Sequence, residues 1–161
     1  SIKDLYWDVR PKPEYGTVEL RICDTPLTID RAVELAAFAQ CLARNLLRTR
    51  PPIAPASQAL VARYNKFQAS RYGFGAILAD PIRRRRVPIG DALRALIDSV
   101  TVDADDLGCR KQLEQLRALV ISERNDSAWL REIARNTGNL NDLTRMAAER
   151  FASPSSYRPN V

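Results

Sequence analysis

The residues best suited to chemistry lie near the start of the chain. Tyr6, Asp8 and Arg10 alternate with Leu5, Trp7 and Val9, and further on Glu19, Arg21 and Cys23 alternate with Val18, Leu20 and Ile22. A period of two marks a β-strand with one apolar face, and side chains two apart on a strand share a face. Between the runs, Pro11-Lys12-Pro13-Glu14-Tyr15-Gly16 has the composition of a turn. A β-hairpin over residues 4–24 is predicted, with a loop of about five or six residues.

Pairing register decides what that hairpin can do. If the apolar rows share one side, the polar rows share the other. Opposed residues must then have an odd position sum, such as Asp8 with Glu19 and Arg10 with Thr17, because an even sum sets Trp7 beside Glu19. Two facing carboxylates repel, and a divalent cation between them relieves the repulsion. Arg10 and Arg21 add positive charge to the same face. Carboxylates for a metal, with guanidinium groups beside them, are what phosphoryl transfer requires. The plain alternative is the solvated face of an antiparallel sheet, with Asp and Glu simply pairing with Arg.

The elements that must position these groups follow the hairpin. Thr25-Pro26-Leu27-Thr28 opens an Ala- and Leu-rich helix over 29–49, apolar on more than one face and stopped by Arg50-Pro51-Pro52. A second helix is predicted over 56–72, ended by Gly73 and Gly75. Residues 76–88 read as irregular or as a short hairpin, with Asp80-Pro81 as a turn signal. Further helices are predicted over 90–100, 104–122, 127–136 and 140–152, and 153–161 reads as a loose tail. The fold class is therefore α+β and mostly helical, a β-hairpin followed by five or six helices. An isolated hairpin is marginally stable in water. These strands are expected to join a larger sheet, with the remaining strands supplied by N-terminal sequence outside this chain or by another chain.

Composition narrows the chemistry. The chain has 161 residues and no histidine, which excludes a Ser-His or Cys-His pair and the commonest zinc ligand within it. A metal here would take oxygen ligands, as magnesium does. Cys23, Cys41 and Cys109 are odd in number and widely spaced, so a disulfide framework is not expected, and a reducing, cytoplasmic setting is. No apolar run approaches the roughly 18 residues of a membrane span, and no signal peptide is apparent. The net charge is +6, rich in arginine, yet no basic stripe alternates with aromatic residues, which argues against nucleic acid. Arg83-Arg84-Arg85-Arg86 reads as solvated surface, the cysteines as small packing residues, and Trp7 and Trp129 as packing anchors.

Three blocks carry a family resemblance: Trp7-Asp8-Val9-Arg10-Pro11, then Gly16-Thr17-Val18-Glu19-Leu20-Arg21-Ile22-Cys23-Asp24, then Asn65-Lys66-Phe67-Gln68-Ala69-Ser70-Arg71-Tyr72-Gly73. In this order and separation they resemble the carboxylate–amine ligases of the glutamate–cysteine ligase type 2 group, over residues 1–152. The resemblance implies the C-terminal portion of a glutamine synthetase-like ligase domain, whose N-terminal strands and further acidic ligands lie outside this chain. It implies ATP and Mg2+ as cofactors. It implies amide-bond formation between an amino acid carboxylate and an amine through an acyl phosphate, the usual pair being glutamate and cysteine. A homo-oligomer is expected, and this portion alone is expected to be inactive.

Residue by residue, the resemblance makes Glu19 a magnesium ligand. Arg21 contacts the transferred phosphate or the acid substrate, and Arg10 contacts a second phosphate. Asp8 ligates metal through water or orients Arg10. Thr17 stands where the wider fold carries a first arginine, a departure that weakens the detailed carry-over from glutamine synthetase. Asn65 and Arg71 become candidate nucleotide contacts. They lie about 240° apart around a helix, however. A structural role is the alternative, with Asn65 bonding backbone and Arg71 pairing with a carboxylate. Two other functions stand beside the ligase: a non-catalytic helical module using Arg83 to Arg86 on RNA or an acidic protein, and an inactive ligase relative.

Overall fold

The computed structural model describes residues 8–53 and 55–153. Residues 4–7 of the expected first strand, Trp7 among them, and the expected tail beyond 153 lie outside the described residues. Strand β1 (Val9–Lys12) and strand β2 (Thr17–Leu20) form an antiparallel ribbon joined by a 3-10 turn, Pro13–Tyr15. Helices α1 (Ile29–Thr49) and α2 (Ala59–Tyr72) follow, then a second antiparallel ribbon of β3 (Ile77–Asp80) and β4 (Arg85–Pro88). Five more helices complete the described chain: α3 (Ile89–Ser99), α4 (Thr101–Asp106), α5 (Arg110–Ser122), α6 (Asp126–Thr137) and α7 (Leu140–Ala152). The class is α+β and mostly helical, as expected.

Local chemistry sets the helix ends. The Thr28 hydroxyl accepts from the Arg31 N–H at 3.1 Å, satisfying a donor that the first turn of α1 leaves free. At the other end Arg50 turns left-handed (φ 44°) ahead of two prolines that cannot continue the helix. Asn125 caps α6 by accepting from Ala128 N–H at 2.8 Å, and Gly138 (φ 62°) closes it.

Two expectations are corrected. The single helix over 104–122 is two helices, α4 and α5, so the described residues hold seven helices rather than five or six. Gly108 takes φ 67° between them, a left-handed residue that interrupts the helical ladder. The second helix also starts later, because Ala56–Gln58 forms a 3-10 turn before α2. The segment 76–88 resolves to the short hairpin reading.

The core lies among α1, α3, α4 and α5. Cys41, Ile97, Val100, Ala104, Leu113, Leu116 and Val120 form its buried centre, with Phe38, Leu42, Phe74 and Leu93 packed against it. At full burial each large apolar side chain stabilises by about 1.5–3 kcal/mol relative to exposure. Inside this apolar set sits Asp103, whose side chain is fully buried. It accepts from Arg48 Nη2 at 2.9 Å and Asn45 Nδ2 at 3.0 Å, which ties the end of α1 to α4. Helices α6 and α7 form a hairpin joined to the rest through Asp126, which accepts from the Leu27 N–H at 3.1 Å. Arg150 lies 4.6 Å over the ring of half-buried Trp129, a cation–π contact between α6 and α7.

Candidate functional site

The ribbon pairs Val9 with Leu20, Arg10 with Glu19, Pro11 with Val18 and Lys12 with Thr17. The position sum is odd, so apolar and charged rows separate onto opposite faces, as the alternation requires. The register itself is shifted by two residues from the one expected. Asp8 does not face Glu19. Its carbonyl accepts from the Arg21 N–H at 2.7 Å, and Glu19 stands opposite Arg10. The reason is the turn. Pro11 and Lys12 continue β1, and the chain reverses through the 3-10 turn and Gly16 at φ 61°, a tighter reversal than a loop over 11–16. Opposed carboxylates are thereby replaced by an opposed ion pair.

Glu19 is the centre of the charged face. Its Oε2 receives both Arg10 Nε at 2.8 Å and Nη2 at 2.6 Å, a charge-assisted pair in which one oxygen takes both prongs of the guanidinium. Lys12 Nζ lies 3.9 Å away, and Arg21 Nε lies 3.8 Å from Oε1. The hydrogen bond from Arg10, followed by the charges of Arg10, Lys12 and Arg21, holds the Glu19 carboxyl below its ordinary value against partial desolvation. Among the described residues one carboxylate here faces three cations, a local excess of positive charge of the kind that receives an anion.

The two faces of the ribbon are exposed in the reverse of the usual order. Arg10 is only 14% exposed and Arg21 27%, whereas Val18 is 64% and Ile22 55% exposed. The charged face is the more shielded one, and at its edge Lys66 Nζ of α2 meets Asp8 at 2.5 Å in an exposed ion pair. The apolar face, formed by Val9, Pro11, Val18 and Leu20, turns outward. Among the described residues no third strand pairs with the ribbon.

The remaining site candidates fall elsewhere. Asn65 spends its amide on backbone: Nδ2 donates to the Ala79 carbonyl at 2.9 Å, and Oδ1 accepts from the Ala79 N–H at 2.8 Å. That is the structural alternative for Asn65, docking α2 on β3. Arg71 is exposed at the end of α2, and no carboxylate among the described residues pairs with it. Among the described residues neither makes a hydrogen bond or ion pair with Glu19; an α2 residue that does reach the ribbon end is Lys66, inside the same block but not singled out by the sequence. Its signal was only adjacency to Asn65.

Arg83 to Arg86 occupy the turn and β4 of the second ribbon, all exposed. Asp80 organises that turn by accepting from the Ile82 and Arg83 N–H groups at 3.0 Å each, which lowers its carboxyl below the ordinary value. Arg83 and Arg85 rim a cavity of about 520 Å3 floored by Leu78, Val87 and α3.

Metal fit can be judged from the donors. Among the described residues no group of three or more acidic or thiol side chains converges as a metal cage. Glu19 offers one carboxylate, and Asp8 is turned to Lys66. A magnesium ion bound with phosphate needs only one or two protein carboxylates, the rest being phosphate oxygens and water. Glu19 is already held by Arg10 with Lys12 and Arg21 close by, so it has no room for a bare dication and could meet magnesium only as part of a metal–phosphate complex; a closed protein site does not fit.

The model of glutamate–cysteine ligase family 2 matches residues 1–146. A protein of Dechloromonas aromatica named "Putative glutamate--cysteine ligase 2" is 57% identical over 151 residues, covering 94% of this chain and 39% of that relative. A like-named protein of Cupriavidus metallidurans is 42% identical over 94% of this chain and 41% of its own length. One of Bordetella parapertussis is 51% identical over 81% of this chain and 31% of its length. The chain thus spans about two fifths or less of the curated relatives it matches. With a family match across 146 of its residues, carried through both the ribbon and α2, the chain belongs to glutamate–cysteine ligase family 2.

Proposed function

We propose that the full-length protein is an ATP-dependent carboxylate–amine ligase that joins glutamate to cysteine through an acyl phosphate, with the charged ribbon face contributing to its phosphate site. The single observation carrying this is the cluster of Arg10, Lys12 and Arg21 around Glu19 on one shielded face, in a chain of this family. Guanidinium and ammonium groups held before the reaction need no reorganisation when charge develops on a transferring phosphoryl group. Arg10 and Arg21 are the proposed contacts to that group, and Arg10 is oriented by its pairing with Glu19. Glu19 would hold magnesium together with phosphate oxygens, and the ion when bound would supply charge neutralisation. Asp8 holds Lys66 at the edge of the same face.

The rest of the ligase is the proposed partner of the outward apolar face. Exposed Val9, Val18, Leu20 and Ile22 form a contiguous strip of the kind proteins cover. The curated relatives carry more than half their length beyond the matched region, enough to cover it. The fold of the complete protein is proposed to be glutamine synthetase-like, its location cytoplasmic and its state a homo-oligomer.

Steady-state assays of the full-length enzyme test the reading. Phosphate release should require ATP, the acid and the amine together. Glu19→Gln should lower kcat by about 100-fold or more, the range for removing one preorganised electrostatic contact. Full turnover in Glu19→Gln would remove Glu19 from the mechanism, and ATP-independent turnover would overturn the reaction class.

A further inference from the structure

Cys41 and Cys109 stand side by side in the helical core, and the ribbon chemistry uses neither. Their Sγ atoms lie 3.4 Å apart across a sequence separation of 68 residues. Cys41 projects from the middle of α1 and is fully buried, while Cys109 immediately precedes α5 and is partly exposed. Both belong to the cluster built on Val100, Ala104, Leu113 and Leu116. Cys23, the remaining cysteine, is exposed on the segment after β2.

We propose that Cys41 and Cys109 are a dithiol pair that a hydroperoxide closes to a disulfide, a covalent modification tying α1 to the head of α5. A disulfide is about 2.05 Å long, so the sulfurs must approach by roughly 1.4 Å from their present 3.4 Å separation, a shift within reach of side-chain rotation and slight helix movement. The pairing is chosen by the fold: chance encounter of residues this far apart in an open chain carries a loop-closure cost that the packed core has already met.

Exposure sets the order of events. Cys109 is the less buried of the two. Burial, reinforced by the hydrogen bond with Cys109, pushes the Cys41 thiol up to about 12, so Cys109 is oxidised first and Cys41 reacts only with the electrophilic sulfur that then lies against it, giving up its proton to the leaving hydroxide. The Cys109 thiolate attacks a peroxide oxygen; the O–O bond breaks, and the departing hydroxide leaves as water after taking a proton. Cys109 is now a sulfenic acid. The Cys41 sulfur then attacks Cys109 Sγ, the S–O bond breaks, and the hydroxide leaves as water with the Cys41 proton. In sum two thiols and one hydrogen peroxide give one disulfide and two waters. The proposal is independent of the ligase reading, since it needs only the core contact.

The test treats the full-length protein, folded and separately unfolded in guanidinium, with hydrogen peroxide, then alkylates, digests and maps peptides by mass spectrometry. In the folded protein a Cys41–Cys109 cross-link is expected, reversed by dithiothreitol, retained in Cys23→Ser and lost in Cys109→Ser. The unfolded protein should lose this preference. Cys41→Ala should leave a Cys109 sulfenic acid that dimedone traps. Sulfinic acid at Cys109 with Cys41 still free, or a cross-link to Cys23 in the folded protein, overturns the proposal. So does a Cys109 that stays reduced while Cys23 oxidises.

Discussion

Asn65 and Asp103 show what single residues contribute. Asn65 gives one N–H and one oxygen to the two backbone groups of Ala79, acting as a side-chain substitute for a neighbouring strand. Replacing it by Leu leaves those groups without partners in a partly buried place. Denaturant unfolding of Asn65→Leu should show a loss of about 1–3 kcal/mol, the cost of stranding buried polar groups. Asp103 is held at about 2, against an ordinary 3.8, chiefly by the hydrogen bonds from Arg48 and Asn45. A lowered folded value means that its contribution is complete above 3.8 and disappears as pH falls through about 2. Unfolding free energy measured against pH should therefore decline through that acid window, and Asp103→Asn should flatten the decline while lowering stability at neutral pH.

At the scale of elements, the break between α4 and α5 rests on one backbone position. Gly108 sits at φ 67° with nothing within 4 Å of where a Cβ would stand, so only backbone strain opposes a side chain there. Gly108→Ala should cost about 1–2 kcal/mol by thermal or chemical unfolding. A cost near zero would show that the joint relaxes. This joint was legible as a glycine, but the Ala- and Leu-rich composition on both sides of it, with Leu113, Leu116 and Val120 at helical spacing, favoured a continuous helix. The ends of α1 and α7, by contrast, were readable to the residue, because Thr28, Arg50-Pro51 and Asn139 act through contacts a few positions away. The ribbon register was half legible. Alternation fixes its parity, since an odd slip would turn every side chain to the wrong face. A slip of two leaves both faces intact, and the turn geometry alone chose between Glu19 opposite Asp8 and Glu19 opposite Arg10.

For the whole molecule, the outward apolar face of the first ribbon is the main consequence. Surface substitutions away from structural contacts stay within about 0.5 kcal/mol. In this 161-residue chain, Val18→Thr with Leu20→Thr should fall in that range, since both side chains are largely exposed. In the full-length ligase the same pair should cost about 2 kcal/mol or more, because burying each apolar side chain is worth about 1.5–3 kcal/mol. Equal effects in the two proteins would mean that the ligase leaves this face open. No helix among the described residues is long and apolar enough to cross a membrane.

By itself the sequence determined whatever depends on near neighbours: the two-residue period, the parity of pairing, most helix ends, and the blocks by which the family was recognised. Only the tertiary structure decided that Glu19 binds Arg10, that Asn65 serves Ala79, that Cys41 meets Cys109, and that the charged face of the ribbon turns inward. The physical reason is that alternation separates two faces without saying which of them meets protein. That choice belongs to residues far away in sequence, such as Lys66 of α2, which meets Asp8 from 58 residues along the chain.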